Sequence, residues 1–116
     1  MSNVLPFTAD RGGARPSQIG FDRIELTRIL DVYGRMVAAG MWRDYAIELG
    51  RDAAVFAAFR RSAERPEYRI ENRPALRAKQ GMWALVGEHG AVLKRGQELA
   101  TVLAPLERRL MKVVED

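Results

Sequence analysis

The residues best equipped for chemistry lie between Arg60 and Lys79, in RRSAERPEYRIENRPALRAK. Seven cations stand there (Arg60, Arg61, Arg65, Arg69, Arg73, Arg77 and Lys79) against three anions, Glu64, Glu67 and Glu71. The interval carries +4, the formal charge of the whole chain, so the remaining charges cancel. Such a segment attracts anions at long range and meets phosphates or carboxylates at short range. Tyr68 adds a ring, and stacking combined with backbone neutralisation is a common way to hold single-stranded nucleic acid. These seven residues are the candidate anion-binding set, with nucleic acid or an acidic protein as partner. The reading requires them to converge on one exposed patch. The competing reading is structural: Glu67, Arg69, Glu71 and Arg73 alternate in sign along one strand face and compensate one another.

Catalytic equipment is sparse. The single histidine, His89, precedes Gly90 in an expected tight turn, where turn geometry accounts for it. Ser2, Ser17 and Ser62 are the only serines, and none sits in a nucleophile-elbow pattern. The chain has no cysteine, which removes thiolate chemistry, disulfides and thiolate-held metals. No paired histidine or carboxylate spacing suggests a metal site, and no glycine-rich phosphate cradle is present. The expectation is a protein that is not an enzyme and holds no cofactor or metal.

Composition agrees with a small globular domain. A chain of 116 residues with 47% hydrophobic and 29% charged residues can bury one core without staples. Sixteen of the nineteen cations are arginine, whose planar fork fits carboxylates and phosphates. A genome rich in G and C would inflate arginine equally, and both explanations stand at this point. No run approaches the ~18 apolar residues of a membrane span. The N-terminus lacks the basic and apolar regions of a secretory signal, so the cytoplasm is the expected location.

The elements that must position these residues follow from periodicity. Residues 1–20, with Pro6, Gly12, Gly13, Pro16 and Gly20, read as a flexible tail, and 21–116 as the single domain. Phe7 and Ile19 are its candidates for docking. Asp22 and Glu25 form a capping box that opens a helix through Leu26, Ile29, Leu30, Tyr33, Met36 and Val37, closed by Gly40. Gly34 inside it predicts close approach by another element. Alternation over Tyr45, Ile47 and Leu49 predicts a strand. The segment 53–59, AAVFAAF, is compatible with helix or strand. The short Gly50-Arg51-Asp52 turn favours a strand, apolar on both faces and so covered on both sides.

Residues 67–73 alternate as a strand that turns Tyr68 and Ile70 one way and the charges the other. MWALVG and AVLKR read as a further hairpin around Glu88-His89-Gly90. Gln97 leads into a second helix to about Ala104. Pro105 then starts a new turn, and the ending LMKVVED reads as a short strand or frayed helix. Trp42 and Trp83 read as core anchors. The fold class is α+β: one domain, an antiparallel sheet of about four or five strands, an N-terminal helix and a second helix near the C-terminus.

The stretch FDRIELTRILDVYGRMVAAGMWRDYAIE, followed in order by AVFAAFRR, PEYRIENRP, KQGMWALV and LKRGQEL, resembles a small alphaproteobacterial family, a domain of unknown function. The resemblance covers about residues 21–103. It implies a standalone cytoplasmic protein, with Arg60-Arg61 and the Lys94-Arg95-Gly96 turn as family features. The family carries no assigned activity, cofactor or catalytic residue to transfer.

The leading functional reading is a non-enzymatic binding module that meets an anionic partner, nucleic acid first, through the seven cations. The alternative is a protein-interaction or assembly subunit, with a homodimer as its simplest form because two-fold pairs are the commonest oligomer. An enzyme with a pocket invisible in the sequence is the distant third.

Overall fold

The computed structural model describes residues 18–61 and 64–115. Most of the expected tail, residues 1–17 with Phe7 among them, lies outside the described residues. Gln18 to Gly20 already belong to the body. The Ile19 N–H donates to the Gly50 carbonyl at 2.7 Å, and Asn72 Nδ2 donates to the Gly20 carbonyl at 3.0 Å.

Seven main elements follow: α1 (Arg23–Ala38), β1 (Asp44–Leu49), β2 (Ala54–Phe59), β3 (Tyr68–Asn72), β4 (Trp83–Gly87), β5 (Val92–Gly96) and α2 (Leu99–Glu115). A 3-10 turn covers Pro74–Leu76. The sheet is an antiparallel meander, β1-β2-β3-β4-β5, each strand paired with its chain neighbours. The α+β class, the five strands and the two helices match the sequence reading.

Local chemistry explains the boundaries. The capping box of α1 closes reciprocally: Asp22 Oδ1 accepts the Glu25 N–H and Glu25 Oε1 accepts the Asp22 N–H, both at 2.8 Å. The helix ends in a Schellman motif. Gly40, at φ +78°, donates to the Val37 carbonyl, and Met41 to that of Met36, each at 2.9 Å. A two-residue Arg51-Asp52 turn joins β1 to β2, fixed by the Gly50 N–H to Ala53 carbonyl bond at 2.9 Å. His89 lies exposed in the loop before Gly90, whose φ is +89°.

Both helices pack on one face of the sheet. There Phe56, Ile70 and Leu85 form a cross-strand row, each at most 2% exposed. Ile29, Val32 and Met36 of α1 and Leu99, Val102, Leu103, Leu106 and Leu110 of α2 close over it. Trp42 and Trp83 are buried anchors. Phe21 stacks on Trp83 with ring centroids 6.1 Å apart.

Three expectations are corrected. The strand over 54–59 is as read, but only one face is covered by helices. Val55 and Phe59 on the other remain partly exposed, since two helices suffice for one face of five strands. The second helix does not stop before Pro105 but runs through it to Glu115. Proline removes one N–H to the Thr101 carbonyl, and the buried side of α2, continuing through Leu106 and Leu110, outweighs that loss. Gly34 has no close neighbour: a Cβ there would meet nothing within 4 Å. The close approach is at Gly81, φ +103°, where a Cβ would stand 2.7 Å from the Gly96 carbonyl carbon.

Candidate anion-binding face

The register fixes the rows of the face that no helix covers, where Ala57, Ala84 and Val86 form a buried floor. One cross-strand row runs Ala46, Ala57, Arg69, Val86, Val92; the next runs Glu48, Val55, Glu71, Ala84, Arg95. Arg69 and Glu71 are therefore central, and Arg73 follows on the same side just past the end of β3. Glu71 is the hub. Its Oε2 accepts from Arg69 Nη2 at 3.2 Å and its Oε1 from Arg73 Nε at 3.1 Å. The carboxylate side chain is 9% exposed, whereas the two arginines remain 34% and 40% exposed. One anion thus holds two guanidinium planes and neutralises only half of their charge. Each retains free N–H donors.

Arg95 adds a third cation on the Glu71 row. Two strand spacings separate their Cα atoms, about 10 Å. Its Nη1 donates to the Gly81 carbonyl at 3.2 Å, tying β5 to the segment that leaves β3. The Gln97 side chain donates to the Arg77 carbonyl in the same segment. Arg77 and Lys79 are exposed there, with no ion pair among the described residues. The face is polarised. Glu48 and Asp44 line its β1 edge, while Arg69, Arg73 and Arg95 gather over β3 to β5.

The seven cations do not form one patch. Arg69, Arg73, Arg77 and Lys79 group with Arg95 on the face and at the end where β3 leaves the sheet. Arg60, Arg61 and Arg65 lie at the other end of β3, about 17 Å away for a five-residue strand. Arg60 Nη2 meets Glu88 Oε1 at 3.2 Å, and Arg61 Nη1 meets Glu64 Oε2 at 3.7 Å. Arg65 is exposed with no ion pair among the described residues.

Tyr68 is not the ring of this surface. It points to the helix side, 6.1 Å from Trp42, with the Arg109 guanidinium 5.7 Å from its ring centre. The alternation that turns Arg69 and Glu71 outward necessarily turns Tyr68 inward. Phe59, opposite Asp44 on β2, is the ring on the open face. Arg95 is the residue that sequence reasoning left out of the set. Its parity within β5 was readable, but its place on the Glu71 row, two strands away, depends on strand order.

Glu67 also leaves the interval. It accepts the Trp42 indole N–H at 2.8 Å and pairs with Arg109 Nη1 at 3.2 Å. It serves the core and not the surface. Among the described residues no cluster of three potential metal ligands occurs, and no helix is long and apolar enough to cross a membrane.

The sequence model of a family described as "Protein of unknown function (DUF2794)" matches residues 19–103. No curated protein and no solved structure matches the chain. The matched span contains α1, the whole sheet and the start of α2, and the chain belongs to this family.

Proposed function

We propose that this DUF2794 protein is a non-enzymatic binding module whose open sheet face receives an anionic partner, nucleic acid first. The observation that carries the reading is the sharing of Glu71. Arg69 and Arg73 are held by one nearly buried carboxylate, so their planes are fixed in advance and their charge is only half compensated. Pre-ordered guanidinium groups lose less freedom when they meet phosphate. Arg95, Arg77 and Lys79 extend the positive surface, and Val55 and Val92 supply apolar area beside it.

The test is anisotropy of labelled single-stranded oligonucleotides titrated with the protein. Affinity is expected to fall steeply between ~50 and 200 mM salt. An Arg73→Glu, Arg77→Glu, Lys79→Glu variant is expected to lose binding by more than about tenfold, given several phosphate contacts. An Arg60→Glu, Arg61→Glu variant, at the opposite end, is expected to retain it. Loss in the second variant with retention in the first places the surface wrongly. Absence of binding to any oligonucleotide, with capture of an acidic peptide, reassigns the partner to protein.

A further inference from the structure

The edge strand β1 is exposed along its full length. The Gly50–Ala53 hairpin bond sets the phase of the ladder. In an antiparallel pair, bonded and non-bonded positions alternate, so Asp44, Ala46 and Glu48 address β2 while Tyr45, Ile47 and Leu49 aim their N–H and C=O groups off the sheet. The edge carries no proline, lysine or bulge, the usual devices against strand addition. Among the described residues its protection is limited to the charges of Asp44 and Glu48 and to the Tyr45 N–H, which Asp44 Oδ1 accepts at 2.9 Å. Tyr45, Ile47 and Leu49 are 43%, 38% and 44% exposed, with their side chains on the helix side of the sheet.

We infer that this edge pairs with the β1 of a second copy, antiparallel about a two-fold axis at Ile47. A two-fold normal to the sheet keeps each face on its own side, so positions of like parity oppose one another. Of the registers that let outward groups bond, three engage at least two outward positions of each strand, and the choice lies among these. With the axis at Ala46, Asp44 opposes Glu48 of the partner. With the axis at Glu48, the two Glu48 carboxylates oppose each other. Only the axis at Ile47 avoids like charges: Glu48 faces Ala46, Tyr45 faces Leu49, and Ile47 faces itself. Like charges directly opposed destabilise a strand pair. The same register pairs all three outward positions of each strand, giving six inter-chain hydrogen bonds. Tyr45 then exchanges its Asp44 acceptor for the Leu49 carbonyl of the other copy. The apolar strip of both chains closes between the two α1 helices, and the open faces join into one ten-stranded surface.

The inference does not rest on the anion-binding reading and is tested separately. Light scattering across a concentration series is expected to show a dimer of the 13.1 kDa chain. Ile47→Pro removes only an outward N–H, a change an edge strand tolerates, and is expected to give a folded monomer. Ile47→Lys, placing two ammonium groups at the axis, is expected to do the same. Because the chain has no cysteine, Ile47→Cys introduces a single thiol. Its counterpart lies within disulfide reach in this register, whereas two Tyr45→Cys thiols lie about 14 Å apart along the strands. Oxidation is expected to crosslink the first variant and not the second. A monomer at every concentration overturns the proposal. So does a dimer that survives both Ile47→Pro and Ile47→Lys. A full-length monomer that dimerises only after removal of residues 1–17 also overturns it, since the chain's own N-terminal segment then occupies the edge.

Discussion

The indole N–H of Trp42 donates to Glu67 Oε1 at 2.8 Å, across the buried junction between the end of α1 and the start of β3. The same carboxylate meets Arg109 of α2 at 3.2 Å, and Arg109 lies against the Tyr68 ring. One side chain therefore ties the loop after α1, the sheet and the last helix together. Glu67→Ala strands a buried donor and a partly buried cation, and is expected to cost about 2–3 kcal/mol. Glu67→Gln keeps an acceptor for the indole and is expected to lose less. Urea unfolding followed by tryptophan emission measures both.

Gly34 gives the opposite outcome. It is exposed within α1 and has open space where a Cβ would stand. Gly34→Ala is expected to raise stability by about 0.5–1 kcal/mol, by lowering the freedom of the unfolded chain. An upward shift of the urea midpoint at constant slope is the readout. An unchanged or lower midpoint contradicts the stated geometry.

Gly81→Ala is expected to cost about 2 kcal/mol or more. Its φ of +103° strains any side chain, and the Gly96 backbone, 2.7 Å from the added carbon, cannot withdraw without disturbing β5. The Arg95 bond to the Gly81 carbonyl is strained by the same displacement. Amide exchange at Arg73, whose N–H donates to Met82 at 2.7 Å, is expected to accelerate along with the global loss.

Glu71→Gln separates a structural arginine pair from a functional one. Removing the charge leaves Arg69 and Arg73 uncompensated, so thermal stability is expected to fall. If the face receives phosphates, oligonucleotide affinity rises several-fold at the same time, because the competing anion is gone. A lower melting temperature without tighter binding identifies the cluster as scaffold.

The capping box carries a pH signature. Burial pushes the Glu25 carboxyl upward from its ordinary value; the Asp22 N–H pulls it down by less, and the Asp22 charge adds to the rise. The native chain thus holds this proton more tightly than the unfolded chain. Its contribution to stability is largest below the ordinary glutamate range and declines as pH climbs through the raised value. Glu25→Gln retains the cap and removes the titration. Unfolding midpoints of the two proteins are expected to shift relative to one another, in favour of glutamine, as pH climbs from the ordinary glutamate range through the raised value.

Much of this architecture was legible because local signals agreed. Asp22 with Glu25, Gly40, and the alternation of Tyr68 and Ile70 with Arg69 and Glu71 each named an element and its orientation. AAVFAAF was resolved by the short Gly50-Arg51-Asp52 turn before it and the strand-like segments around it, and not by its own propensity. Pro105 misled because a single lost hydrogen bond is visible in sequence, whereas the packing of Leu106 and Leu110 that offsets it is not. The division of the seven cations, and the arrival of Arg95 on the Glu71 row, were beyond reach for another reason. Spacing along a strand fixes which side a residue faces, but neighbours across a sheet are set by strand order, which one sequence does not state.

The meander also governs how the molecule is made. Every strand finds its partner through a short local closure, so the sheet can zip hairpin by hairpin during synthesis. The union of Arg35 with Glu107, 72 residues apart, must wait until the α2 segment has left the ribosome. Until then the greasy side under α2, with Leu85 and Trp83, stands bare. Docking of α2 is therefore the step that takes this apolar surface out of water.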